Sequence, residues 1–171
     1  SVAWTTTATS NGAHTLTAIA RDASGNTATA AGVTVTVNNP VDTTPPTIVT
    51  VTPAAGATNV VTTSTVTVVF SEAMNGLTIR ESTKELRDVA NQVVAATVSY
   101  NSNNQTATLT PASALAASAR YTVTVQGGTT EPRVKDVAGN ALTNDYVWSF
   151  TTAGPVGTNC PCSIWDGTAT P

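Results

Sequence analysis

Charge is scarce along this sequence. Asp, Glu, Lys and Arg together make up 10% of its 171 residues, against roughly 25% in an average soluble domain. The seven Lys and Arg do not cluster and the formal net charge is −3. That excludes a nucleic-acid partner, because a phosphate backbone is met by a basic face. His is present once and there is no G-x-S-x-G, so a hydrolytic triad would rest on His14 alone. No apolar run approaches a membrane span. Ser1-Val-Ala-Trp4 has neither the basic start nor the apolar run of a signal peptide, and the chain reads as an excerpt of a longer protein. Both Cys lie in Cys160-Pro161-Cys162, where they cannot staple the body of a fold. As metal ligands they fall short of the four that a structural zinc takes, and a disulfide closing so short a loop is strained.

Hydrophobic residues, at 40%, are enough to bury a core. Thr fills about one position in five, far above ordinary usage, and its β-branched side chain suits a pleated surface. The two classes alternate with the period of a strand. Leu16, Ala18 and Ala20 form one row, and Val33, Val35 and Val37 another. Val66, Val68 and Phe70 follow, then Val94, Ala96, Val98 and Tyr100, then Tyr121, Val123 and Val125, and last Tyr146, Trp148 and Phe150. Apolar-in, Thr-out is the pattern of antiparallel sheets with one solvated face. The best helical stretch, Ser71 to Arg87, is broken by Gly76 and β-branched residues, and Ala112 to Ala119 is long enough for a single turn. Short strands between turn signals indicate a sandwich. Its expected core is Val66, Val68, Phe70, Leu109, Tyr121, Val123, Val125, Trp148 and Phe150.

One turn recurs: Arg21-Asp22-Ala-Ser-Gly25-Asn26, Lys135-Asp136-Val-Ala-Gly139-Asn140 and, more loosely, Arg87-Asp88-Val-Ala-Asn91-Gln92. The Asp carboxylate accepts downstream N–H groups and starts the turn. The residue three later takes positive φ, which Gly and Asn tolerate best. The polar stretch Asn101 to Asn104, which leads into the sequon Asn104-Gln-Thr106, reads as a hairpin tip. Pro45-Pro46 marks a semi-rigid joint, and Ala153-Gly154-Pro155 breaks the strand pattern. The resulting division is a truncated repeat at 1–39, a Pro-rich linker at 40–46, a complete domain at 47–153, and a linker with the start of a further module at 154–171.

From Pro46 to Thr152 the chain resembles the bacterial Ig-like domain of S-layer and secreted multidomain proteins. The motifs that carry the likeness are Pro45-Pro46, Pro53-Ala-Ala-Gly56-Ala-Thr-Asn59-Val60, Val68-Val-Phe70-Ser71-Glu72-Ala-Met74, Leu109-Thr-Pro111, Tyr121-Thr-Val-Thr-Val125, Lys135-Asp136-Val-Ala-Gly139-Asn140 and Trp148-Ser-Phe150-Thr-Thr152. The stretch Arg80-Glu-Ser-Thr-Lys-Glu85 is more charged than this pattern. Trp4 to Val37 resembles the C-terminal half of another Ig-like or fibronectin-like repeat, and Cys160 to Trp165 the start of an uncharacterised β-rich module. The resemblance implies an all-β immunoglobulin-like antiparallel sandwich of about seven strands, preceded by a truncated β-meander. It implies a bacterial cell-surface or extracellular location, with spacing, adhesion or accessory roles. The partners it implies are neighbouring modules of the same polypeptide, and a cell-surface polysaccharide or protein.

Candidate sites are few. His14 stands two residues before Leu16, as Tyr121 stands before Val123, a place where an aromatic closes a sandwich corner onto backbone. Glu72, Glu81, Glu85 and Glu131 read as solvated charges rather than a glycosidase pair. Trp4 and Trp148 read as core and Trp165 as free, so no aromatic platform for sugars emerges. The expectation is a module without catalytic or cofactor-binding residues. No metal site is expected either. Asp22, Asp42 and Asp136 are the calcium candidates, with turn capping as their competing role, and a chelator is expected to leave the melting temperature unchanged. A structural spacer leads, a carbohydrate- or protein-binding adhesin-like module is the alternative, and an accessory domain of a secreted hydrolase comes last. Deleting Ser1 to Asn39 is expected to leave the main domain folded with little loss of stability. Denaturant melts of both forms, followed through Trp148 after replacing Trp4 and Trp165, check this, and an unfolded shorter chain would mean one shared core.

Overall fold

The computed structural model describes residues 3–155. The expectations placed on Cys160, Cys162 and Trp165 lie outside them. The chain divides into two compact units, residues 1–42 and 43–171.

In the first unit β1 (Gly12–Leu16) pairs antiparallel with β4 (Val33–Val37), and the short β2 (Ile19–Arg21) and β3 (Thr27–Thr29) pair with each other. The expected meander thus takes the form of a hairpin nested within a longer pair. The row Leu16, Ala18, Ala20 is interrupted, because β1 ends at Leu16 and β2 begins at Ile19. Of the expected apolar face only Val37 is buried; Leu16 and Val33 are exposed. Trp4, expected in a core, is 43% exposed and meets the His14 ring edge-on at 6.0 Å between centroids. With so few strands there is no second layer to cover an indole. His14 does bond to backbone: its Nε2 lies 2.8 Å from the Ser10 carbonyl.

The second unit holds seven strands: β5 (Ile48–Thr52), β6 (Val66–Phe70), β7 (Lys84–Arg87), β8 (Ala96–Asn101), β9 (Thr106–Pro111), β10 (Arg120–Val125) and β11 (Tyr146–Thr151). They form two antiparallel sheets, ordered β5-β6-β9-β8 and β11-β10-β7. Lettered A to G in chain order, these are ABED against GFC, the constant-type immunoglobulin arrangement. The fold is an all-β Ig-like sandwich.

All nine residues expected in the core lie in one buried cluster. Met74, Ile79, Leu86, Leu115, Val134 and Leu142 join them from outside the rows read in the sequence. The Tyr121 hydroxyl accepts the Ala116 N–H at 2.9 Å, so this aromatic closes a corner onto backbone as expected. The Trp148 indole N–H donates to the Pro53 carbonyl at 3.0 Å. Ser71 to Arg87 forms no α-helix: it holds one 3-10 turn, Gly76–Thr78, and strand β7.

Beyond Pro53 the chain crosses from one sheet to the other. Residues 56 to 60 run parallel to the end of β11. Four backbone bonds join them: Gly56 N–H to Ser149 O, Thr151 N–H to Ala57 O, Val60 N–H to Thr151 O and Ala153 N–H to Val60 O. The segment that follows β5 therefore lies along the edge of the other sheet.

This path fixes where the domain is entered and left. At one end, Thr47 is bonded to Ser71, and the following stretch meets 135–137 through Asn75 N–H to Lys135 O and Val137 N–H to Ala73 O. At the other end, Thr152 is bonded to Ala119, and Leu115 to Thr62. The chain enters at the first end and leaves at the second.

Candidate functional site

The recurrent turns behave as their sequence requires. Asp22 Oδ1 accepts the Ser24 and Asn26 N–H groups, and Asp88 Oδ1 those of Ala90 and Gln92. Asp136 Oδ1 accepts Gly139 and Asn140 N–H at 2.6 and 2.8 Å, and its Oδ2 accepts the Asn140 side-chain amide at 2.8 Å. The third residue after each Asp has positive φ: Gly25 at 93°, Asn91 at 60° and Gly139 at 100°. Bonds from the Asn26 side chain and backbone hold the exposed Asp22 carboxyl below its ordinary value.

Asp136 differs from Asp22 in being buried. Asp136→Ala removes a buried acceptor that takes bonds from Gly139 and Asn140, and is expected to destabilise the domain by about 2–4 kcal/mol. The same change at Asp22 is expected to do far less, because water replaces the lost acceptor. Urea melts of the two variants check the contrast.

Of the three calcium candidates, Asp22 and Asp42 are exposed residues of the first unit and Asp136 is buried in the second. Glu72 and Asp136, both in the second unit, place a carboxylate oxygen within 4.8 Å of each other. Sequence alone reads Glu72 as a solvated charge. The two segments that unite it with Asp136 are the neighbours bridged through Met74 and Asp136, a proximity that no local spacing reveals.

The other carboxylates are engaged singly. Glu85 pairs with Arg87 at 2.8 Å. Glu81 accepts the Val98 N–H at 3.3 Å. Lys135 and Arg133 hold the Glu131 carboxyl below its ordinary value. Glu131 borders an open cleft of about 450 Å³, lined also by Gln126, Thr129, Thr130, Asn144 and Asp145. Its lining offers hydrogen-bonding groups and no aromatic ring.

One charged side chain escapes a reading of the sequence. Lys84, in the charged stretch before β7, is 1% exposed. Its Nζ donates to the Val66 and Ala107 carbonyls at 2.7 and 2.8 Å, across the sandwich. Burial brings its pKa down to about 7. The signal is the alternation Lys84-Glu-Leu86-Arg: Lys84 shares parity with the buried Leu86.

Residues 42–152 match the model of a family described as bacterial Ig-like domain. No curated protein matches the chain. Among solved structures, CopC from Methylosinus trichosporium OB3b is similar at 15% identity and TM-score 0.52, over 64% of this chain and 95% of that one. PcoC, a methionine-rich copper resistance protein from Escherichia coli, is similar at 16% identity and TM-score 0.51, over 64% and 99%. The N-terminal part of the bacterial S-layer protein SbsC aligns at 21% identity and TM-score 0.48, over 66% of this chain and 24% of that one. At these identities the likeness is one of fold. The matched stretch is more than half of the chain and coincides with the ABED/GFC sandwich, so the chain belongs to the bacterial Ig-like domain family.

Proposed function

We propose that this protein is a non-catalytic spacer module of a secreted or surface-located bacterial multidomain protein, its partners being the neighbouring modules of the same polypeptide. The observation that carries this reading is the path of the chain, in at one end of the sandwich and out at the other. Such a module adds its length to a tandem array and transmits tension from one neighbour to the next. Tension on the two ends pulls residues 56–60 and β11 in opposite directions along their shared axis. The four parallel-ladder bonds between them then bear the load together.

Single-molecule pulling on the whole chain tests this. Val60→Pro removes the Val60 N–H bonded to Thr151 and is expected to lower the unfolding force of the sandwich clearly. A wild-type sandwich that yields at the force of the variant would sink the reading.

The cleft beside Glu131 favours a second reading, a module binding a carbohydrate or a protein through loops at one end of the sandwich, since its lining can bond sugar hydroxyls or peptide groups. A glycan array separates the two, and a saturable hit lost in Asn144→Ala would favour the binding module. The copper named for PcoC finds no counterpart in methionine, as Met74 is the single one and is buried.

A further inference from the structure

We propose that Lys84 makes this sandwich a proton-sensitive clamp: its amine, bonded across the core to β6 and β9, is uncharged in the folded domain, and protonating it weakens the hold of the two sheets on each other. The geometry supports this in two ways. First, the number of bonds fits the neutral amine. An ammonium has three donors to place, whereas two carbonyls, those of Val66 and Ala107, accept from Nζ. A neutral amine places both its donors there.

Second, among the described residues no carboxylate pairs with it. Strands β5, β6 and β9 of the opposite sheet contain no Asp, Glu, Lys, Arg or His, and β8 adds only Tyr100, whose hydroxyl accepts the Met74 N–H. In its own sheet, β10 carries Tyr121, bonded to Ala116, and the exposed Arg120, bonded to Ser149. Strand β11 carries Tyr146, edge-on to Trp148. On β7 itself Glu85 and Arg87 have the opposite parity and pair with each other. The buried Asp136 is spent on its turn.

The sign follows from where the proton sits. Burial lowers the amine from 10.5 to about 7, while the unfolded chain keeps the higher value. Between those limits the unfolded chain holds one more proton, so stability rises with pH. Each pH unit shifts the folding equilibrium by up to about tenfold, and pH 7.5 to 9.5 by on the order of a hundredfold. Below about pH 7 both states carry the proton and this group adds no further dependence.

The test is urea unfolding of the 171-residue chain from pH 6 to 9.5, followed through Trp148 with Trp4 and Trp165 replaced by Phe. Lys84→Met is compared with the parent, Met being an unbranched apolar chain of similar reach. Every other side chain is the same in both, so the difference isolates Lys84. The Met variant is expected to be the more stable near neutral pH, its advantage shrinking by roughly a hundredfold in equilibrium constant across pH 7.5–9.5. Parallel pH profiles would overturn the proposal. If Lys84→Met does not fold, an NMR titration of ¹³Cε-labelled lysine in the unaltered protein decides the matter. Its two lysines, Lys84 and Lys135, give two signals. A Lys84 signal titrating near neutrality supports the clamp, and one titrating near the ordinary lysine value overturns it.

Discussion

Phe150→Ala is expected to destabilise the sandwich by about 3–5 kcal/mol. Phe150 lies on β11 and is 1% exposed. Its ring stacks on that of Tyr121, centroids 5.9 Å apart at 27° between planes, the cross-strand pair of β10 and β11. The truncation removes buried apolar surface, leaves a cavity that the two sheets cannot close, and loses a ring pair worth about 0.5–1.5 kcal/mol. A domain of this size holds roughly 5–15 kcal/mol in all, so the melting temperature should fall by on the order of 10–20 °C. Val147→Ala, on the same strand but 58% exposed, should stay within about 0.5 kcal/mol. Thermal melts of both variants check the pair. Equal losses would mean that β11 does not divide its two faces as the alternation requires.

That alternation is also why so much of the sandwich is legible in the sequence. In β6, β10 and β11 the buried side chains are large and apolar and the outward ones are mostly Thr or Ser, so parity and chemistry agree. The strands that escape such a reading are those where the two part company. In β5 the register shifts between Ile48 and Thr50, and a bulge breaks the period on which the reading depends. In β9 the inward positions are Ala107 and Leu109, a small residue and one large one, too little for a row. In β7 the inward positions are Lys84 and Leu86, and a charged residue at a core position is read as solvent-facing because burying charge is unfavourable. The Asp-started turns are legible for a local reason: acceptor, donors and the positive-φ residue all lie within five positions. The meeting of Glu72 and Asp136 depends instead on how loops at one end of the domain are folded back. Trp4 defeats the reading because a row of apolar residues foretells a face, not what covers it.

Gly127→Ala is expected to be as damaging as a core truncation, though it adds only a methyl group. Gly127 follows β10, and its N–H donates to the Asp145 carboxylate at 2.8 Å. A Cβ there would meet the Asn144 backbone carbonyl and would lie 2.6 Å from the Leu142 carbonyl oxygen. Both obstacles are main chain, so no rotamer change relieves them. The loop must move, which endangers the bond to Asp145 and the neighbouring one from Gly128 N–H to Leu142 O. Overpacking of this kind costs about 1–3 kcal/mol, and a lost bond to a carboxylate adds roughly 1.5–3 kcal/mol. Gly128 is the control. It has φ of 71°, and a Cβ added to it would meet nothing within 4 Å, so Gly128→Ala meets backbone strain alone, about 1–2 kcal/mol. Urea melts should therefore rank Gly127→Ala well below Gly128→Ala. The reverse order would mean that the 126–131 loop and the 142–145 segment do not approach as closely as the glycine allows.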